Sequence, residues 1–237
     1  FEGLAQDEGR DFASTARRSS DGWTVKVTGK SGHSSGIFRP EVGYGAAYEL
    51  ARIIDAFRRE LPEAMLTYNV GLVGGGESAE LSADGLRVTA TGKTNIIAPT
   101  AIARGDLRAL TPEQIERTKA KMAAIVAQSL PGTKAEMSID PAGYPPMAPT
   151  EGNRALLTRL NAVNRDMGLP EMAEFSPEKR GAADISFVAK DVDSLAGLGP
   201  GGRGAHAPGE TVDIPTISKQ AKRAAILMSR LAKERRR

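Results

Sequence analysis

Two histidines, His33 and His206, and no cysteine are available for chemistry in this chain of 237 residues. The missing cysteine excludes disulfide staples, thiolate zinc sites and cysteine nucleophiles. His33 lies in Gly32-His-Ser-Ser-Gly36, which has the spacing of a nucleophile elbow, and Asp184 and His206 follow in the Ser, Asp, His order of α/β-hydrolases. An elbow needs a strand running straight into Ser34 and a helix leaving straight after it. Here Thr28-Gly-Lys-Ser31 precedes, and Pro40 and Gly43 stand where that helix would grow. A serine hydrolase acting through Ser34 is therefore the minor alternative. Gly29-Lys-Ser31 and Gly92-Lys-Thr94 imitate a phosphate-binding loop but have Thr24 and Arg87 where its first glycine belongs.

His206 ends a glycine-dense run, Gly197-Leu-Gly-Pro-Gly-Gly-Arg-Gly-Ala-His206, with Glu210 and Asp213 beyond it. Such a loop lets backbone N–H groups and a ligand approach closely. Arg108 closes Arg104-Gly-Asp-Leu-Arg108, and Asn95 sits in Gly92-Lys-Thr-Asn-Ile-Ile-Ala-Pro99. A guanidinium can grip a carboxylate in a paired geometry, and an amide adds a donor. On sequence alone, Arg108 paired with Asp106 on the surface is the simpler reading.

Taken in order, these pieces resemble the co-catalytic zinc exopeptidases (clan MH) of the glutamate carboxypeptidase, aminoacylase and succinyl-diaminopimelate desuccinylase type. The matching segments are Val27-Thr-Gly-Lys-Ser-Gly-His33-Ser, Thr94-Asn95-Ile-Ile-Ala-Pro, Gly105-Asp-Leu-Arg108, Gly181-Ala-Ala-Asp184, and Gly199 through His206 to Glu210-Thr-Val-Asp-Ile. The resemblance implies a bacterial hydrolase with two zinc ions, cleaving an amide or peptide bond beside a free carboxylate. The substrate would be a small peptide or an N-acyl amino acid. It implies Glu2 and His206 as ligands of different zinc ions. It implies His33 as the group that meets the oxyanion in a partner subunit's site. Asn95 and Arg108, with Arg180 as a weaker candidate, would contact substrate, and Asp184 would sit beside the site without binding metal. The family's H-x-D motif and its Glu-Glu pair carrying the general base are missing from these 237 residues. The expectation is a truncated or processed part, inactive alone, that contains the lid and the C-terminal part of the catalytic domain. The other alternative is a non-catalytic dimerisation or interaction module.

The elements that must position these residues follow from periodicity. Trp23, Val25 and Val27 alternate with polar residues as a strand does. Residues 41–60 carry a helical apolar stripe, and 65–73, 86–91 and 101–107 read as strands. Thr111-Pro-Glu-Gln114 opens a helix with capping-box spacing, and 135–139 closes the pattern as a strand. The fold class is α/β with an α+β lid: a βαββαβ dimerisation domain of ferredoxin-like build, with one extra short strand, over 22–145. Its edge strands would be open to a second copy, which implies a homodimer. Residues 1–21 read as the end of a catalytic segment and a polar connector. Residues 146–237, after Pro141, Pro145, Pro146 and Pro149, read as the later part of the catalytic domain. They carry a helix over 150–167, a strand near 172–175, a short helix over 182–189, a strand near 194–195 and a last helix over 217–231.

Composition sets the outer bounds. Hydrophobic residues at 40% and charged residues at 26% suit a buried core. A net charge of +3, balanced by 29 acids, argues against a nucleic-acid binder. Lys233-Glu-Arg-Arg-Arg237 reads as a frayed helix end, where cations suit the dipole. No apolar run approaches the ~20 residues of a membrane helix. The chain begins at Phe1 without a leader pattern, which reads as processing or trimming. The compartment is left open, with the bacterial periplasm marginally ahead of the cytoplasm.

Overall fold

The computed structural model describes residues 2–205 and 207–234. The chain forms two compact units, one from residues 2–19 with 144–234 and the other Ser20–Gly143. Two short antiparallel strands come first, β1 (Ala5–Asp7) and β2 (Arg10–Ala13). The polar stretch read as a connector is thus partly sheet, because Ala5 and Ala13 are buried while the turn between the strands is charged.

In chain order the second unit contains β3 (Asp21–Gly29), β4 (Gly32–His33), α1 (Gly45–Glu60), β5 (Thr67–Gly76), β6 (Ser78–Leu81), β7 (Val88–Thr91), β8 (Ile96–Ile97), β9 (Thr100–Arg108), α2 (Pro112–Ala127) and β10 (Thr133–Ile139). The main sheet has the order β10-β3-β9-β5 and is antiparallel throughout. That order, with α1 and α2 packed on one face, is the ferredoxin-like arrangement. Trp23, Val25 and Val27 from β3 meet Leu50, Ile53 and Phe57 from α1 and Met122, Ile125 and Val126 from α2 in one apolar core. Trp23 packs edge-on against Phe57 with ring centres 5.6 Å apart, and its indole N–H donates to the Asp106 carbonyl at 3.2 Å. Gly105 makes this packing possible: a Cβ there would lie 1.7 Å from the Asn69 carbonyl oxygen and 2.5 Å from the Trp23 ring.

Local chemistry moves some boundaries. Helix α1 starts at Gly45 and not at 41, because Gly43 takes φ +85 and packs against the Pro131 carbonyl. The single extra strand expected in the middle is a hairpin, β6 with β7, turned by Ser82-Ala-Asp-Gly85. The Gly/Ser loop after β3 contains β4 and a short 3-10 turn, Ser34–Gly36. Helix α2 starts as its sequence predicts: the Thr111 hydroxyl accepts from the Gln114 N–H at 3.2 Å, and Gln114 Oε1 accepts from the Leu110 N–H at 2.8 Å.

The first unit continues with α3 (Glu151–Asp166), β11 (Ala173–Glu174), β12 (Gly202–Arg203), β13 (Thr211–Val212) and α4 (Ile214–Lys233). β11 joins β2 in parallel. Leu157, Leu160 and Val163 of α3 pack with Leu227 of α4, Leu4, Ala13, Met172 and Leu198. Two expectations are corrected. Asp184–Phe187 is a four-residue 3-10 turn, too short for the α-helix read over 182–189. The strand near 194–195 is reduced to one bridge, Ser14 with Ala196.

Candidate functional site

The sequence-predicted residues fall into three places. In the Ser20–Gly143 unit, β4 pairs with β8 so that His33 lies opposite Ile96. The Ser34 N–H donates to the Asn95 carbonyl at 2.9 Å. Buried Ile97 anchors this ribbon beneath Gly45, where a Cβ would come within 2.6 Å of its side chain. His33 and Asn95 are therefore neighbours on one fixed two-stranded ribbon, and both are exposed. His33 Nδ1 lies 2.9 Å from Ser35 Oγ and accepts from the Ser35 N–H at 3.3 Å. Ser34 opens a 3-10 turn and not an α-helix, so the strand-to-helix elbow of a serine hydrolase is not formed.

Arg108 belongs to the same unit but to its other end. Thr100 pairs with Thr28 near the His33 ribbon, whereas Arg108 pairs with Thr67. The length of β9 separates these ends by about 27 Å at ~3.4 Å per residue. Arg108 Nε donates to Asp106 Oδ2 at 2.9 Å, and both side chains are about one-third exposed. One copy of the chain does not bring Arg108 together with His33 and Asn95.

The third place is in the first unit. Glu2 pairs with the guanidinium of buried Arg17, and its other carboxylate oxygen accepts from the Asp184 N–H at 3.4 Å. Arg180 donates to the Gly3 carbonyl at 3.0 Å. Tyr144 donates its hydroxyl to Asp184 Oδ1 at 3.1 Å and packs against Phe187. That bond and the Asp184 charge push the phenol's pKa up. Arg17 pairs with the Glu2 carboxylate, and Arg180 lies within reach of its charge. Burial, helped by the Arg180 charge, pushes Arg17 down to about 10, and burial likewise lowers Arg180. Glu2 and Asp184 also line a cavity of 380 Å³ with Ile185 and Leu195–Leu198. The reading of the sequence missed Arg17 and Tyr144. The Arg17-Arg18 pair inside Ala13–Ser19, a segment of otherwise small side chains, was the available signal for the first.

A metal would need more than this. His206 lies outside the described residues, and among the described residues no three His, Asp or Glu side chains gather where an ion could sit. Both oxygens of Glu2 already have partners. The described residues do not form a metal site by themselves.

A ferredoxin-like unit inserted into a second α/β unit, with His33 and Asn95 on a ribbon at one end of its sheet, defines the architecture. The chain belongs to the peptidase dimerisation domain family of the M20 peptidases, which matches residues 15–134. No curated protein matches the chain. Among solved structures it is similar to a tripeptidase from Staphylococcus aureus, with 20% identity and a TM-score of 0.70 over 94% of this chain and 54% of that one. The aminopeptidase PepT from Bacillus cereus gives 18% and 0.69 over 93% and 54%. An amidase of the hydantoinase/carbamoylase family from Burkholderia phymatum gives 16% and 0.56 over 93% and 49%. At these identities the likeness is one of fold. The chain spans about half the length of these structures.

Proposed function

We propose that the protein carrying this chain is a metal-dependent hydrolase of an amide or peptide bond next to a free carboxylate, of the glutamate carboxypeptidase or N-acyl-amino-acid amidohydrolase kind. The observation behind this reading is the peptidase dimerisation domain over 15–134, with His33 and Asn95 fixed together on its β4–β8 ribbon. In this reading two copies pair through the lid. His33 donates a hydrogen bond to the oxyanion of the tetrahedral intermediate in the partner's site. Asn95 and Arg108 hold the substrate's carboxylate. In this reading, with the two ends of β9 apart, one copy would supply His33 and Asn95 and the other Arg108. Arg180 is a further contact, and Asp184 backs the site through Glu2. Glu2 and His206 are this chain's contribution to a two-zinc centre, whose other ligands and proton-transferring carboxylate it does not contain.

The sheet's two edges differ in a way that supports the dimer. β10 carries Lys134 and Glu136, the charges that protect an edge. β5, Thr67-Tyr-Asn-Val-Gly-Leu-Val-Gly-Gly-Gly76, has neither charge nor proline. The unguarded edge suits a second copy.

The test is hydrolysis of an N-acyl glutamate by the intact protein, before and after chelation. Activity that chelation abolishes and zinc restores supports the reading, and no amide or peptide hydrolysis at all removes it. The dimerisation domain over 15–134 supports a second reading, a non-catalytic dimerisation module. A stable dimer with no metal content would select that one.

A further inference from the structure

The Nδ1 atom of His33 is engaged from two directions by one residue. The Ser35 backbone N–H points at it from 3.3 Å, and the Ser35 hydroxyl lies 2.9 Å away. A backbone N–H can only donate, so Nδ1 must offer a lone pair. In the neutral imidazole the proton then sits on Nε2. The contact is also a cap: His33 is the N-cap of the 3-10 turn Ser34–Gly36, its ring nitrogen serving where a Ser or Asp oxygen usually does. Flipping the ring would put a C–H against that N–H and lose both bonds. The backbone beneath is already fixed by the pairing of His33 with Ile96 and by the Ser34 to Asn95 hydrogen bond.

We propose that Ser35 is a positioning residue, which holds His33 in the Nε2–H tautomer so that the ring presents a donor to the reacting oxygen. An exposed histidine without such partners samples both tautomers and two ring orientations. A donor that must meet a developing oxyanion works only if it is in place beforehand. Two residues therefore act together. His33 touches the oxyanion, and Ser35 sets which nitrogen does so. The inference rests on the oxyanion role proposed for His33.

The experiment is long-range proton–nitrogen NMR on the intact protein labelled with 15N-histidine, with His33→Ala to assign the signals. Wild type should show His33 with an unprotonated Nδ1 and a protonated Nε2 at a pH where the ring is neutral. Ser35→Ala should shift it toward a tautomer mixture, and Ser35→Thr should restore the wild-type signature. In turnover, Ser35→Ala should lower kcat about tenfold with KM within about twofold, since the backbone donor stays and only the hydroxyl is lost. Ser35→Thr should recover most of that. An Nδ1–H tautomer in wild type, or an unchanged signature in Ser35→Ala, overturns the positioning role. If the tautomer responds as expected but neither His33→Ala nor Ser35→Ala changes kcat, the oxyanion reading fails and the catalytic role of Ser35 falls with it.

Discussion

Single residues separate charge that serves the site from charge that serves the fold. Arg108 and Arg17 make the contrast. Arg108 is partly exposed and paired with Asp106 at the surface, so in the proposed site it would exchange that partner for a substrate carboxylate. In a closed site the guanidinium fork makes two charge-assisted bonds that lysine cannot reproduce. Arg108→Ala in the intact protein should therefore lower kcat/KM much more for an N-acyl glutamate than for its α-amide, and Arg108→Lys should recover only part. Equal losses on both substrates would return Arg108 to a strand-end partner of Asp106 and move the role to Asn95 or Arg180. Arg17 is different: its side chain is 2% exposed and already pushed down to about 10, so its charge is held in place by Glu2. Glu2→Ala leaves Arg17 and Arg180 facing each other with that carboxylate gone. The expected cost is about 2–4 kcal/mol, read as a lower urea midpoint in the presence of chelator so that metal does not contribute. The sign with pH follows. A base whose folded-state pKa lies below its unfolded value binds fewer protons when folded, so its burial penalty is complete below about pH 10 and is relieved as pH rises from there.

The elements show how much of the molecule was readable before the structure. α2 was legible from both ends, because Thr111-Pro-Glu-Gln114 and Pro131-Gly132 are local signals that tertiary packing reinforces. β3 was legible because one face is core and alternation survives. β1, β2 and β6 were not, since strands of three or four residues have too few positions for a period to register, and although 86–91 reads as a strand, its hairpin pairing with β6 does not show. His33 and Asn95 could be picked out as residues of interest, but their adjacency depends on the β4–β8 pairing, which no local pattern announces. The same holds for the clamp between α1 and the end of α2. Glu49 is fully buried and takes two hydrogen bonds from Arg52, at 2.9 and 2.6 Å, and one from the Leu130 N–H at 3.0 Å. Arg52 in turn reaches the Ile125 carbonyl at 3.0 Å. Glu49→Ala strands a partly buried guanidinium and a backbone donor, and should cost about 3 kcal/mol in urea unfolding without altering the assembly. The β5 edge gives the converse prediction. Val73 is exposed there, and Val73→Lys should turn a dimer into a monomer in light scattering. A dimer that persists would move the interface off that edge.

At the scale of the whole molecule the question is what these 237 residues can do unaided. The two units have separate apolar cores, so the chain can fold without supplying a complete catalytic centre. Firm zinc binding needs three or four protein ligands at about 2 Å. The chain offers Glu2, which Arg17 and the Asp184 N–H already engage, and His206, which the resemblance assigns to a different ion. Each ion would keep one protein ligand, and water in the other positions adds little affinity. Binding zinc through Glu2 would also mean breaking its pair with Arg17, which leaves that buried cation uncompensated. Residues 1–237 alone should therefore bind zinc far more weakly than the intact protein. They should show no amide hydrolysis, yet still dimerise, because residues 15–134 match the dimerisation domain. Calorimetric titration with zinc, paired with light scattering on the same sample, checks both halves. Weak binding by a dimer is the expected result. Tight binding of one or two ions per chain would mean that Glu2 and His206 are joined by ligands that the sequence does not advertise, and the two-zinc centre would have to be redrawn around them.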